Sequence, residues 1–161
     1  MRWARFAVVA ALAATLAVPP RAWGADADES VRTYAKKASY EDVKFELTNA
    51  VIERGLTIDF TGALGRMLER TGPAVGATRT LFREAEFFAF CSAKLSRQMM
   101  EADLHNIASC PFVVFIYTTA DHPDEVVVGY RRPVPRGTLV SQQALAEVDA
   151  LLDGIVRQAV R

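Results

Sequence analysis

Cys91 and Cys110 are the only two cysteines of the chain. In an oxidising compartment such a pair usually closes into one disulfide that staples a small domain. The same sulfurs serve two sharper chemistries. Redox exchange needs one thiol of low pKa, and Cys91 directly precedes a helical stretch whose N-terminal amides would favour a thiolate. The pair is not a Cys-x-x-Cys, so it lacks the local geometry of thioredoxin-like exchange. A soft-metal site would draw on Cys91, Cys110, His105 and Met100, donors of the kind that suit Cu(I). Against it, Met99 falls on an apolar stripe with Leu95 and reads as core, and His105 falls in a polar, solvated loop. Cys110-Pro111 is also a dipeptide found in haem-responsive proteins, a signal of little specificity. A Cys91–Cys110 disulfide is the leading reading, with no cofactor expected.

Other constellations are sparser. Arg131, Arg132 and Arg136 form a basic cluster able to hold an anion, or simply a solvated loop after a strand. Glu84 and Glu86 have the spacing of one strand face and read as its solvent side. Glu101, Asp103 and His105 alternate after a helix, without a second cluster to complete a catalytic or metal set. Ser92 has no evident histidine partner and no Gly-x-Ser-x-Gly elbow is present. No phosphate-cradling glycine loop appears, because Gly72 and Gly76 bracket a turn. No catalytic set emerges, which favours a non-enzymatic role.

The elements that must position these groups follow from periodicity. Val31 to Ala38 reads as a strand. Ser39 and Asp42 have the spacing of a capping box, and Tyr40, Val43, Leu47 and Val51 recur at helical spacing behind them. Gly55 stops that helix. Leu56, Ile58 and Phe60 alternate as a half-buried strand. Leu64, Met67 and Leu68 make a weaker helical stripe that Gly72-Pro73 ends. Ala85 to Phe90 is a strand, Ser92 to Ala102 a helix, and Phe112 to Tyr117 and Glu125 to Tyr130 two strands joined by a turn. After a Pro-rich loop, Ser141 caps a closing helix whose inner side is Leu145, Val148, Leu152, Ile155 and Ala159. The order β-α-β4-α, with two short helical insertions, predicts an α+β fold. Its sheet is mostly antiparallel, with helices on one face.

The N-terminus is an address. Arg2 and Arg5 precede an apolar run from Phe6 to Val18, and Ala22-Trp23-Gly24 puts small residues where a signal peptidase reads. A cleavable secretory signal over 1–24 is expected, leaving one domain over 25–161 in the periplasm or outside a bacterial cell. The apolar run is shorter than the roughly 20 residues a spanning helix needs, so no stable membrane insertion is expected after cleavage. The whole chain balances 19 basic against 19 acidic residues. Losing Arg2, Arg5 and Arg21 leaves the rest mildly acidic, which argues against nucleic acid as a partner.

From Ser39 to about Pro133 the chain resembles the bacterial family known as domain of unknown function 302. The resemblance rests on Tyr40-Glu41-Asp42-Val43, Glu53-Arg54-Gly55-Leu56 and Met99-Met100-Glu101-Ala102-Asp103. It continues through Cys110-Pro111-Phe112-Val113-Val114-Phe115-Ile116-Tyr117 and Val128-Gly129-Tyr130. It implies an α+β fold similar to the TATA-box-binding-protein-like arrangement and implies no reaction. The chain departs from the family pattern at two places. Phe90-Cys91-Ser92 replaces a Gly-Asn-Pro turn, and Cys110-Pro111 replaces Leu-Pro. Both departures are to cysteine, as a cross-link requires.

These readings converge on an exported module that binds a small ligand or a protein partner. A thiol-redox or sulfur-handling protein is the alternative, and copper or haem binding the third. Small sheet domains of this kind often pair through an exposed edge or face, so a homodimer belongs among the expectations.

Overall fold

The computed structural model describes residues 30–161; the expected signal segment 1–24 and its cleavage point lie outside the described residues. The chain runs through β1 (Val31–Lys37), α1 (Tyr40–Ile52), β2 (Ile58–Gly62), α2 (Leu64–Thr71), β3 (Phe82–Phe90), α3 (Ala93–Ala102), β4 (Phe112–Thr119), β5 (Glu125–Arg131) and α4 (Leu139–Ala159). Short 3₁₀ turns follow α2 at Gly72–Val75 and α3 at Leu104–Ser109. The strands form one sheet in the order β1-β5-β4-β3-β2, every neighbouring pair antiparallel. This is the α+β architecture expected from the order of elements.

The helices α1 and α4 lie against one face of the sheet because each carries an apolar stripe. Val43, Leu47 and Val51 of α1 and Leu145, Val148, Leu152 and Ile155 of α4 are buried. Alternate strand residues meet them, among them Phe88, Phe90, Phe112, Val114, Ile116, Val126, Val128 and Tyr130. Each such aliphatic side chain removed from water contributes about 1.5–3 kcal/mol. Truncating Leu47 to alanine would cost about 2–5 kcal/mol, the transfer loss plus a cavity. Ser39 caps α1 by accepting the amide of Asp42 at 3.1 Å, and Gly55 ends that turn at φ +72°. Both boundaries agree with the sequence.

Several expectations are corrected. Phe60 does not continue the half-buried pattern of Leu56 and Ile58: it is 58% exposed. A bulge between Ile58 and Phe60 shifts the register on β3. Ile58 therefore stays on the helix side while Phe60 turns to the opposite face. The stripe of Leu64, Met67 and Leu68 forms a helix, but none of its residues is buried. That helix packs against β3 with Gly65 over Ala85, and the turn after Gly72-Pro73 runs on to Gly76 at φ +71°. β3 begins at Phe82 rather than Ala85. Glu86 is not on a solvent face: it meets Lys44 of α1 at 2.6 Å and accepts from the Tyr40 hydroxyl at 3.4 Å. Ser141 does not cap α4. Thr138 does, accepting the Ser141 amide at 3.2 Å, and the Ser141 hydroxyl is buried instead as an acceptor for Asn106.

Candidate functional site

The antiparallel pairing of β3 and β4 brings Phe90 opposite Phe112, so the residues just beyond them meet at one end of the sheet. Cys91 Sγ and Cys110 Sγ lie 3.8 Å apart there. That is contact between two thiols, against about 2.05 Å for a disulfide bond. Cys91 is exposed and Cys110 half-buried. The Cys110–Pro111 peptide is cis. Ser96 Oγ, one turn into α3, stands 3.1 Å from Cys110 Sγ. This contact has no signature in the sequence beyond the helical phase that turns Ser96 toward the strand ends.

The redox reading requires a thiolate at Cys91. Burial, the adjacent Cys110 thiol and its hydrogen bond push the Cys91 pKa up to about 11. One amide of the first turn of α3, that of Leu95, is taken by the capping Ser92 side chain at 3.4 Å.

Of the candidate metal donors, Cys91 and Cys110 meet, without a third His, Cys, Asp or Glu beside them among the described residues. His105 is exposed and pairs with Asp103 at 3.1 Å, and Met99 is fully buried in the core as expected. The arginine cluster separates into unlike roles. Arg132 makes a fork on Asp149, at 3.0 Å through both Nε and Nη2. Arg136 donates to Asn106 Oδ1 at 3.1 Å and to the His105 carbonyl at 2.8 Å. Arg131 is exposed, at the end of β5. Asn106 is a residue the sequence did not flag. It is fully buried and donates to the Met99 carbonyl and Ser141 Oγ, each at 2.8 Å.

The largest feature the sequence left unassigned is the sheet face turned away from α1 and α4. A lateral row crosses all five strands there: Gly62, Phe87, Phe115, Gly129 and Thr33 are successive cross-strand partners. The Phe87 ring lies over Gly62 and the Phe115 ring over Gly129, each where a Cβ would otherwise stand. The two rings thus lean apart, Phe87 onto the backbone of the edge strand β2 and Phe115 onto that of β5. Around them Phe60 meets Phe87 with centroids 5.8 Å apart, Tyr117 stacks on Phe115 at 6.2 Å, and Phe82 meets Tyr117 edge-on at 5.3 Å. The face is aromatic and, at its centre, uncharged. Its charged members stand at the strand ends, where Lys37 lies opposite Glu125 and Arg131 opposite Val31. Among the described residues no helix is long and apolar enough to cross a membrane.

Comparison with known proteins follows the same lines. The family Domain of unknown function DUF302 matches residues 31–159. A solved structure of an uncharacterized conserved DUF302 protein from Bacillus stearothermophilus superposes with a TM-score of 0.66 at 11% identity. It covers 83% of this chain and 99% of its own. That likeness concerns the fold. No curated protein matches the chain significantly.

Proposed function

Because the chain belongs to the DUF302 family, whose description assigns no activity, we propose a function from its own surfaces. It is an exported, non-catalytic binding module that pairs face to face with a second copy of itself and is stapled by a Cys91–Cys110 disulfide. The observation that carries the reading is the uncovered aromatic row of Phe87 and Phe115 between Gly62 and Gly129.

The occupant follows from size and charge. Five strands about 4.8 Å apart and up to about eight residues long give a face of roughly 600 Å² in plan. With side-chain relief this approaches the ~800 Å² that each partner of a standard interface buries. An uncharged centre offers nothing to a polyanion, whereas an identical apolar face matches it in an isologous pair. The edges are poorer sites. β1 carries Arg32, Lys36 and Lys37, while β2 has five residues and a bulge, both devices that discourage edge pairing.

The disulfide forms by exchange with a disulfide-bearing oxidase. Both thiols lose their protons, the sulfurs join, and the partner's disulfide takes two electrons and two protons to become a dithiol. The alternative, a thiol-redox or sulfur-handling protein, draws support from the exposure of Cys91 and is opposed by its raised pKa.

Sedimentation velocity of the oxidised protein from Ala25 onward tests the reading, together with the variants Phe60→Glu and Phe115→Glu. A dimer that both variants convert to a folded monomer supports it. A wild-type monomer at all accessible concentrations overturns it.

A further inference from the structure

Beside the end of β5 a cleft of about 190 Å³ opens between the loop after β5 and the start of β4. Its walls include Arg131, Arg132 and Arg136, and its apolar parts Pro111, Phe112 and Leu152. A cleft of this size has room for a small molecule only.

The charges on its walls are unequal. Arg132 is neutralised by its fork on Asp149. Arg131 has no side-chain hydrogen bond or ion pair among the described residues, and Arg136 has no carboxylate within ion-pair distance. Arg136 is nevertheless fixed. Its Nε is held by Asn106 Oδ1 and its Nη2 by the His105 carbonyl, and Asn106 is itself locked by Met99 and Ser141. A guanidinium held by neutral acceptors, with the Asp103 carboxylate close enough to act on it but beyond ion-pair distance, loses little side-chain entropy when an anion arrives.

We propose that this cleft binds a small oxyanion carried on a short apolar body. Arg131 and Arg136 meet the charge, and Pro111, Phe112 and Leu152 meet the body. The site adjoins one end of the aromatic face, because Arg131 follows Gly129 by two residues on β5 and shares its side of the sheet, while Phe112 and Leu152 line it from the helix side. It does not rest on dimer formation. A guanidinium–oxyanion pair is a charge-assisted, often bidentate contact, so losing one costs about ten-fold or more in affinity.

The test titrates isobutyrate, inorganic phosphate and the neutral isobutyramide into the ¹⁵N-labelled protein at matched ionic strength. Isobutyrate is expected to shift amides at 108–113 and 131–136 saturably, phosphate to do so more weakly, and isobutyramide not at all. Arg131→Gln, which removes no internal contact, is expected to weaken isobutyrate about ten-fold or more. Arg136→Gln should do the same in a protein that still gives a folded spectrum. Phosphate binding tighter than isobutyrate would overturn the apolar body. An equal response to isobutyramide, or isobutyrate binding unchanged in Arg131→Gln, would overturn the site.

Discussion

The ring of Phe115 lies across Gly129 on the adjacent strand, where an added Cβ would stand 2.6 Å from Phe115 Cζ. The same Cβ would press on the Arg32 carbonyl oxygen of β1, which is backbone and cannot swing aside. Gly129→Ala is therefore expected to destabilise by about 1–3 kcal/mol, the range for overpacking. At Gly62 the nearest atoms all belong to the Phe87 ring, a side chain that can swing, so Gly62→Ala costs less. Urea denaturation of the two variants checks the order, and a larger loss at Gly62 would contradict it.

Asn106 ties three segments together: the end of α3 through Met99, the first turn of α4 through Ser141, and the loop after β5 through Arg136. Asn106→Ala leaves a buried carbonyl, a buried hydroxyl and a guanidinium N–H without their partner. A loss of about 2–3 kcal/mol is expected in chemical denaturation.

Closing the cysteine pair removes freedom from a loop whose ends are 19 residues apart in sequence, which in the chain-entropy description stabilises by about 3 kcal/mol. The oxidised protein should unfold at a correspondingly higher urea concentration than the reduced one. The double variant Cys91→Ser, Cys110→Ser should match the reduced form. A thiol titration that finds the bond opened by mild reductant in the folded state would instead favour the redox alternative.

Tyr40 and Tyr130 sit with their phenols largely out of water, and burial is the main cause that raises both pKa values, with Glu86 and Asp149 adding to it. Tyr34 is raised in the same direction, by burial first and then by its 2.6 Å hydrogen bond to Asp153. The unfolded chain releases these protons near pH 10 while the folded chain keeps them. Their contribution is complete below about pH 10 and is lost as the pH climbs through the folded values. Stability measured by urea titration should fall steeply above pH 10, and less steeply in Tyr40→Phe.

Most of the fold was legible because it rests on local signals. The Ser39 cap, the Gly55 stop, the alternation from Phe112 to Tyr117 and the inner stripe of α4 each need only a few neighbouring residues. The joint position of Cys91 and Cys110 followed from one further step, the antiparallel pairing of their strands. What escaped the sequence depends on register and on distant partners. The bulge that turns Phe60 outward, the burial of Asn106 and the capping role of Thr138 have no periodic signature. The aromatic face escaped for another reason. β4 and β5 are apolar on both sides, a pattern shared by a doubly covered strand and by a strand with one bare face. Only the register that sets Phe87 and Phe115 between two glycines tells them apart.

The most direct test of face-to-face pairing is the fluorescence of Phe60→Trp in the protein from Ala25 onward. Trp3 and Trp23 precede that point, so residue 60 carries the only indole. Face-to-face pairing requires emission that moves to shorter wavelength as protein concentration rises, and returns to that of a solvated indole when Phe115→Glu is added. Emission of a solvated indole at every concentration, or a short wavelength that Phe115→Glu leaves unchanged, would contradict it.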